Sequence, residues 1–175
     1  MRPEGRPLLL VAGGLFLTLS CVASPGGQAS EKTLPAAVLK AGQQCLPAPE
    51  TWTATWITSP DRLRNFIARC RSNRIGGAVS TVPMADFGRF GILALEMGRR
   101  PSAGYGFDTD NVTAVLEDRR LTVTVAVYQP APGAVTAQVM TAPWMLIQLP
   151  ADRFHTLRVI DENARQLAEI ETIRP

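Results

Sequence analysis

Cys21, Cys45, Cys70 and His155 are the cysteines and the one histidine of this 175-residue chain, and their spacing argues against most of the covalent or metal chemistry open to those types. One histidine cannot build a multi-histidine zinc site, and no Cys-x-x-Cys stands in for it. A Ser-His-Asp hydrolase would have to use His155, in Arg153-Phe154-His155-Thr156 at the edge of a predicted strand, and the chain has no Gly-x-Ser-x-Gly elbow. A lone histidine beside a strand is more often structural, so no catalytic residue is assigned. Asp108 and Asp110 fall on one side of a predicted strand and could meet a cation, but solvated turn acids fit them better, and no metal ligand is assigned. Gly104-Tyr105-Gly106 lacks both the phosphate-loop lysine and the dinucleotide-binding spacing. Neither a cofactor nor a small-molecule substrate is therefore expected. The formal charge is only +3, and the densest basic run (Arg62, Arg64, Arg69, Arg71, Arg74) lies on one predicted helix and its exit. A solvated helix face explains that run, and nucleic acid is not implied.

The remaining chemistry of the cysteines concerns export. Arg2 and Arg6 precede an uncharged apolar run, Leu8–Leu19, of secretory-signal length and too short to span a bilayer comfortably. It ends in Leu17-Thr18-Leu19-Ser20-Cys21. A small residue before a cysteine at the end of such a core resembles a bacterial lipobox. The resemblance implies a signal peptide over 1–20, cleavage before Cys21, and lipid, palmitate included, on the new amino terminus. Several acyl chains would make that membrane attachment effectively permanent, whereas one alone holds only marginally. Val22 follows in place of the aspartate that tends to retain lipoproteins at the inner membrane, which points to an outer-membrane lipoprotein facing the periplasm. Cleavage after Ala23 or Ala29, leaving a soluble periplasmic or secreted protein, is the alternative. Residues 21–42 are expected to be a flexible tether, the Ser-, Gly- and Pro-rich stretch Val22–Thr33 above all, and residues 43–175 a single domain. With Cys21 given to lipid, Cys45 and Cys70 remain as a pair in an oxidising compartment. That favours a disulfide, worth about 3–4 kcal/mol, over two unpaired thiols.

The elements that hold these residues are mostly strands. Trp52, Ala54 and Trp56 alternate with threonines, which predicts a short strand with both tryptophans on one face. Ser59-Pro60-Asp61 has the order of a helix start: N-cap, first-position proline, acid in the first turn. Leu63, Phe66, Ile67 and Cys70 then form one apolar stripe of a helix ending near Ser72. Gly91–Met97 is apolar throughout and predicts a central strand buried on both faces. Gly98–Gly106 is a loop, and Tyr105 and Phe107 open a strand running to about Leu116. Leu121, Val123, Val125 and Val127 alternate with small or polar residues, the clearest half-buried strand in the chain. Thr136–Met140 and Trp144–Leu149 are two more strand candidates, and Thr156–Ile160 with Leu167–Ile173 suggests a terminal hairpin, although the latter would also suit a short helix. The expected fold is mainly β, in the α+β sense: a compact antiparallel sheet or sandwich of about six to seven strands with one N-terminal amphipathic helix.

Several segments in this order resemble the PrcB family of protease-complex subunits, specifically its carboxy-terminal domain. Asp86-Phe87 followed by Gly91–Met97 resembles the family's Asp-Phe lead-in and apolar strand. Gly98-Arg99-Arg100-Pro101-Ser102-Ala103-Gly104-Tyr105 is similar to its Gly-x-x-Pro-Thr-Gly-Gly-Tyr, with Ser102 for threonine and Ala103 for the first glycine of the pair. Gln129-Pro130-Ala131-Pro132-Gly133 resembles a Pro-x-Pro-Gly turn, and Thr141-Ala142-Pro143-Trp144 a Thr-x-Pro-aromatic segment. The likeness implies a non-enzymatic, lipid-anchored accessory subunit that associates with a protein partner, an exported protease in the family. Arg99, Arg100, Pro101, Ser102, Gly104, Tyr105, Pro143 and Trp144 are the expected partner-binding residues: they offer Arg, Tyr and Trp of the kind enriched in interface hot spots, and the two loops share one end of the sheet if the strands before them run the same way. A looser resemblance, of Pro101–Tyr105 and Pro143-Trp144 to the inhibitory loops of chagasin-type proteins, implies a cysteine-protease inhibitor as the alternative.

Overall fold

Alternation in Leu121–Val127 puts the odd-numbered side chains on one face, and a sheet stays ordered there only if a second apolar layer covers them. The structure, a computed structural model, describes residues 31–71, 83–152 and 154–171 and supplies that layer. In chain order the strands are β1 (Lys32–Leu34), β2 (Ala37–Gly42), β3 (Thr53–Ile57), β4 (Phe90–Glu96), β5 (Gly106–Glu117), β6 (Arg120–Tyr128), β7 (Trp144–Pro150), β8 (Thr156–Asp161) and β9 (Gln166–Glu171). The helix α1 (Pro60–Arg71) falls between β3 and β4. One sheet has the order β1-β5-β6-β8-β9 and the other β2-β7-β4-β3.

The two sheets pack face to face. Leu93, Leu95 and Met97 meet Met145, Ile147 and Leu149 across the β4–β7 pair, and this inner face closes on Leu121, Val123, Val125, Leu157 and Val159 of the other sheet. Trp52 and Trp56 point into the same core, as their spacing predicts, and pack edge-on against Phe107 and Phe154. The opposite face of the four-stranded sheet is apolar too. Ile57, Ile92, Ala94 and Leu146 lie beneath Leu63, Phe66, Ile67 and Cys70 of α1. This is why β4 and β7 read as nearly unbroken apolar runs: a strand between a sheet and a helix has no wet side.

The helix begins where its signals place it, with the Leu63 N–H donating to the Ser59 carbonyl and the Ser59 hydroxyl accepting from Arg62 N–H. Its last turn is pinned twice. Cys70 is disulfide-bonded to Cys45, and Arg69 makes a bidentate ion pair with the buried Glu96 at 2.8 Å for each bond.

Three expectations are corrected. The chain makes nine strands among the described residues, because residues 32–34 and 37–42, assigned to the tether, are β1 and β2. Their edge positions leave them half-exposed, so the alternation that marks a core strand is missing there. The sheet is not wholly antiparallel: β6 and β8 pair in parallel, since the chain crosses to the other sheet through β7 before returning. Thr136–Met140 has no regular structure and is almost wholly exposed. The carboxy-terminal segment forms the expected hairpin, with β9 as its second strand. The leader and Cys21 lie outside the described residues.

Candidate protein-interaction face

Strand direction decides which loops meet. β4 ends, β5 begins, β6 ends, β7 begins and β8 ends at the same end of the sandwich, as the pairs Glu96↔Trp144, Gly106↔Tyr128 and Val125↔Asp161 require. The loop 97–105, the connection 129–143 and the β8–β9 turn therefore gather there.

The loop 97–105 is fastened to the connection by hydrogen bonds. Arg100 and Thr141 exchange backbone bonds of 2.8 and 2.9 Å, Ala103 N–H donates to the Ala137 carbonyl at 3.0 Å, and the Thr141 hydroxyl donates to the Ser102 carbonyl at 3.1 Å. The Ser102 hydroxyl donates onward to the Ala103 carbonyl. Gly98 and Gly104 carry the reversal, with φ of +80° and +94°. At Gly98 a Cβ would lie 2.8 Å from the Thr51 carbonyl oxygen, so glycine is required for space as well as for conformation. Ala103 is not among the residues of positive φ, which is why the glycine expected there can be replaced.

Not every residue named from the sequence lies on this face. Arg99, Pro101 and Gly104 are exposed, and Arg100 and Tyr105 half-buried. Ser102, Pro143 and Trp144 are buried, which corrects their assignment as contacts. Pro143 accepts from Met97 N–H through its carbonyl. Trp144 is only 4% exposed, stacks edge-on with Phe66 and donates from Nε1 to the Gln44 carbonyl at 3.1 Å. It belongs to the core beneath α1, because an outward side chain at the start of β7 faces the helix and not the solvent. With it goes the tryptophan loop on which the chagasin-like alternative drew.

Other residues take their place. Tyr128, Val135, Val139 and Met140 are exposed apolar side chains, and each belongs to the end of β6 or to the connection that follows. Arg100 lies over two rings at once, its guanidinium carbon 5.6 Å from the Trp52 centroid and 5.8 Å from that of Tyr105, while it donates to the Met97 carbonyl at 2.6 Å. A cleft of about 490 Å³ opens beside it, lined by these rings, Tyr128 and the β8–β9 turn with Arg165. Partial burial pushes the Arg100 guanidinium below its ordinary pKa, Tyr105 works against that shift, and the charge of Arg165 adds to it. The turn carboxylates are engaged by backbone: Asp161 Oδ1 accepts from Asn163 N–H and Arg165 N–H at 2.9 and 2.8 Å, and Glu162 Oε2 accepts from Val127 N–H at 3.3 Å. Sequence reasoning misses this turn's part in the site because only the parallel β6–β8 pairing brings it beside Tyr128.

His155 is at the opposite end, where β8 begins, exposed and with Nε2 3.1 Å from Arg119 Nη1. Asp108 sits in the irregular stretch of β5, its carboxylate accepting from Asp110 N–H at 2.9 Å and from the Asn111 amide at 2.6 Å. The Asp110 N–H, then the Asn111 amide, hold this carboxyl below the ordinary aspartate pKa. Because the folded value is the lower one, the contribution is present above the unfolded pKa and fades as pH falls through the folded one. A carboxyl-detected NMR titration is expected to place the Asp108 midpoint below that of a free aspartate and to show it rising in Asn111→Ala; an ordinary midpoint in both would show that the turn does not hold the charge.

Residues 92–150, from β4 through β7, match the family model described as PrcB C-terminal. This segment is similar to a PrcB C-terminal domain. The matched segment contains the loop 97–105 and the whole connection to β7, while the β8–β9 turn that completes the cleft lies beyond it. No curated protein and no solved structure matches the chain.

Proposed function

We propose that this chain is a non-catalytic accessory subunit of an exported protease complex, held to the outer membrane by lipid on Cys21 and engaging its partner through the loop end of the sandwich. The PrcB family consists of protease-complex accessory subunits, which supports the reading. The observation that carries the choice of face is the gathering of Tyr128, Val135, Val139 and Met140 there, exposed, on a connection whose backbone is anchored at Arg100 and Ala103. Apolar side chains on a held loop present a partner with contact area at little ordering cost. The β8–β9 turn and Arg100 supply the polar rim that such patches have.

The test begins with the lipidated protein extracted from membranes, its amino-terminal peptide analysed by mass spectrometry and its co-purified chains identified. The double variant Val139→Asp/Met140→Asp is expected to lower recovery of the partner at least tenfold, about 1.4 kcal/mol, with little change in melting temperature because both side chains lie on the surface, 50% and 61% exposed. Equal recovery would rule out this face. A mature chain with an unmodified thiol at Cys21 would remove the anchor from the proposal.

A further inference from the structure

We propose that the cleft beside Arg100 is a carboxylate pocket, which takes an acidic group next to an apolar or aromatic side chain on an extended peptide of the partner. The inference rests on the reading of this end as a docking face and specifies what it recognises. Two guanidiniums, those of Arg100 and Arg165, line one cleft, and among the described residues neither forms a salt bridge. They are near enough for the charge of one to act on the other. The acids of the same cleft do not neutralise them in the same way, since Asp161 and Glu162 accept from backbone amides of the turn and of β6.

Arg100 is also preorganised. Its position over the rings of Trp52 and Tyr105, together with its bond to the Met97 carbonyl, fixes the plane of the guanidinium before any ligand arrives. A planar fork held in this way suits a carboxylate, whose two oxygens accept a pair of parallel N–H bonds. The rings of Trp52, Tyr105 and Tyr128 form an apolar wall beside that fork. An amino acid side chain next to the carboxylate would pack there. Carboxylates of two origins share this chemistry, a chain terminus and an Asp or Glu side chain, and a binding experiment separates them.

The full-length, detergent-solubilised protein is titrated with three probes, followed by Trp fluorescence and calorimetry. They are acetyl-Ala-Phe with a free carboxylate, its carboxy-terminal amide, and acetyl-Glu-Phe-amide, which carries only a side-chain carboxylate. At least one acid is expected to bind about tenfold more tightly than the neutral amide, a difference of about 1.4 kcal/mol, and the preferred acid names the source. That preference is expected to vanish in Arg165→Gln, whose side chain is exposed, with no change in melting temperature, and to weaken in Arg100→Lys, which keeps the charge but not the fork. Equal binding of acids and amide, no binding of any probe at millimolar concentration, or a preference that survives Arg165→Gln would each overturn the proposal. The outcomes separate it from the broader reading. If Arg165→Gln leaves partner capture intact while Val139→Asp/Met140→Asp abolishes it, the docking face stands and the carboxylate pocket falls.

Discussion

Trp144→Ala is expected to lower the stability of this domain by about 3–5 kcal/mol, the range for removing a large aromatic from a packed interior. The sequence alone points the other way, since a Pro-Trp pair in a loop-flanking segment looks like an interface anchor whose loss would spare the fold. Burial decides the matter. The indole fills the space beside Gly42, where a Cβ would come within 2.8 Å of Nε1, and it meets Phe66 at 5.6 Å between centroids. Alanine would leave a cavity between β2, β7 and α1, and the Gln44 carbonyl would lose its donor. Domains of this kind are held by roughly 5–15 kcal/mol in total, so the variant should be partly unfolded at modest denaturant. Urea titration followed by far-UV circular dichroism measures the change. A loss below about 1 kcal/mol would mean that the site collapses around the smaller side chain or that Trp144 is not packed as described. Gly42→Val should destabilise through the same contact from the opposite side, because the branched side chain would displace the indole.

Removal of the Cys45–Cys70 bond comes next in size. The bridge spans 25 residues of sequence and joins the segment after β2 to the last turn of α1. A loop of this length stabilises by about 3–4 kcal/mol, chiefly by limiting the unfolded chain. Cys45→Ala/Cys70→Ala should therefore melt roughly 10 °C lower than the oxidised protein, as should the wild type in strong reductant. The loss should be local first. A helix of 12 residues is marginal by itself, and α1 depends on its stripe, the Arg69–Glu96 pair and this bond. Hydrogen exchange is expected to quicken in α1 before β4 or β7. Equal melting temperatures with and without the bond would show that it is not formed in the mature protein or that the unfolded chain is already constrained.

Much of the fold is legible in the residues themselves, because its signals are local. Ser59-Pro60-Asp61 marks a helix start through caps that act within one turn. The Val-rich alternation of β6 and the unbroken apolar run of β4 report one-sided and two-sided burial directly. The edge strands β1 and β2 carry no such signal: half of each is wet whatever it pairs with, so their residues resemble a linker. The irregular segment Thr136–Met140 misleads in the other direction. Its Thr136 and Val139 suit a strand, yet only Ala137 in it joins the neighbouring loop through its carbonyl, and all but the half-buried Thr136 are exposed.

For the proposed interaction face the division is sharper. Residue types and short spacings determined that this chain has few means of covalent chemistry and a Gly-Arg-Arg-Pro loop ending in Tyr105. Chain direction and layer order, which are properties of the assembled sheets, decided the rest. They turned Trp144 inward beneath α1 and brought Arg165 to Arg100 from a turn 65 residues further along the chain, through the parallel pairing of β6 with β8. Local sequence encodes the alternation of faces but not which face another layer will cover, and that covering separates a buried anchor from an exposed one.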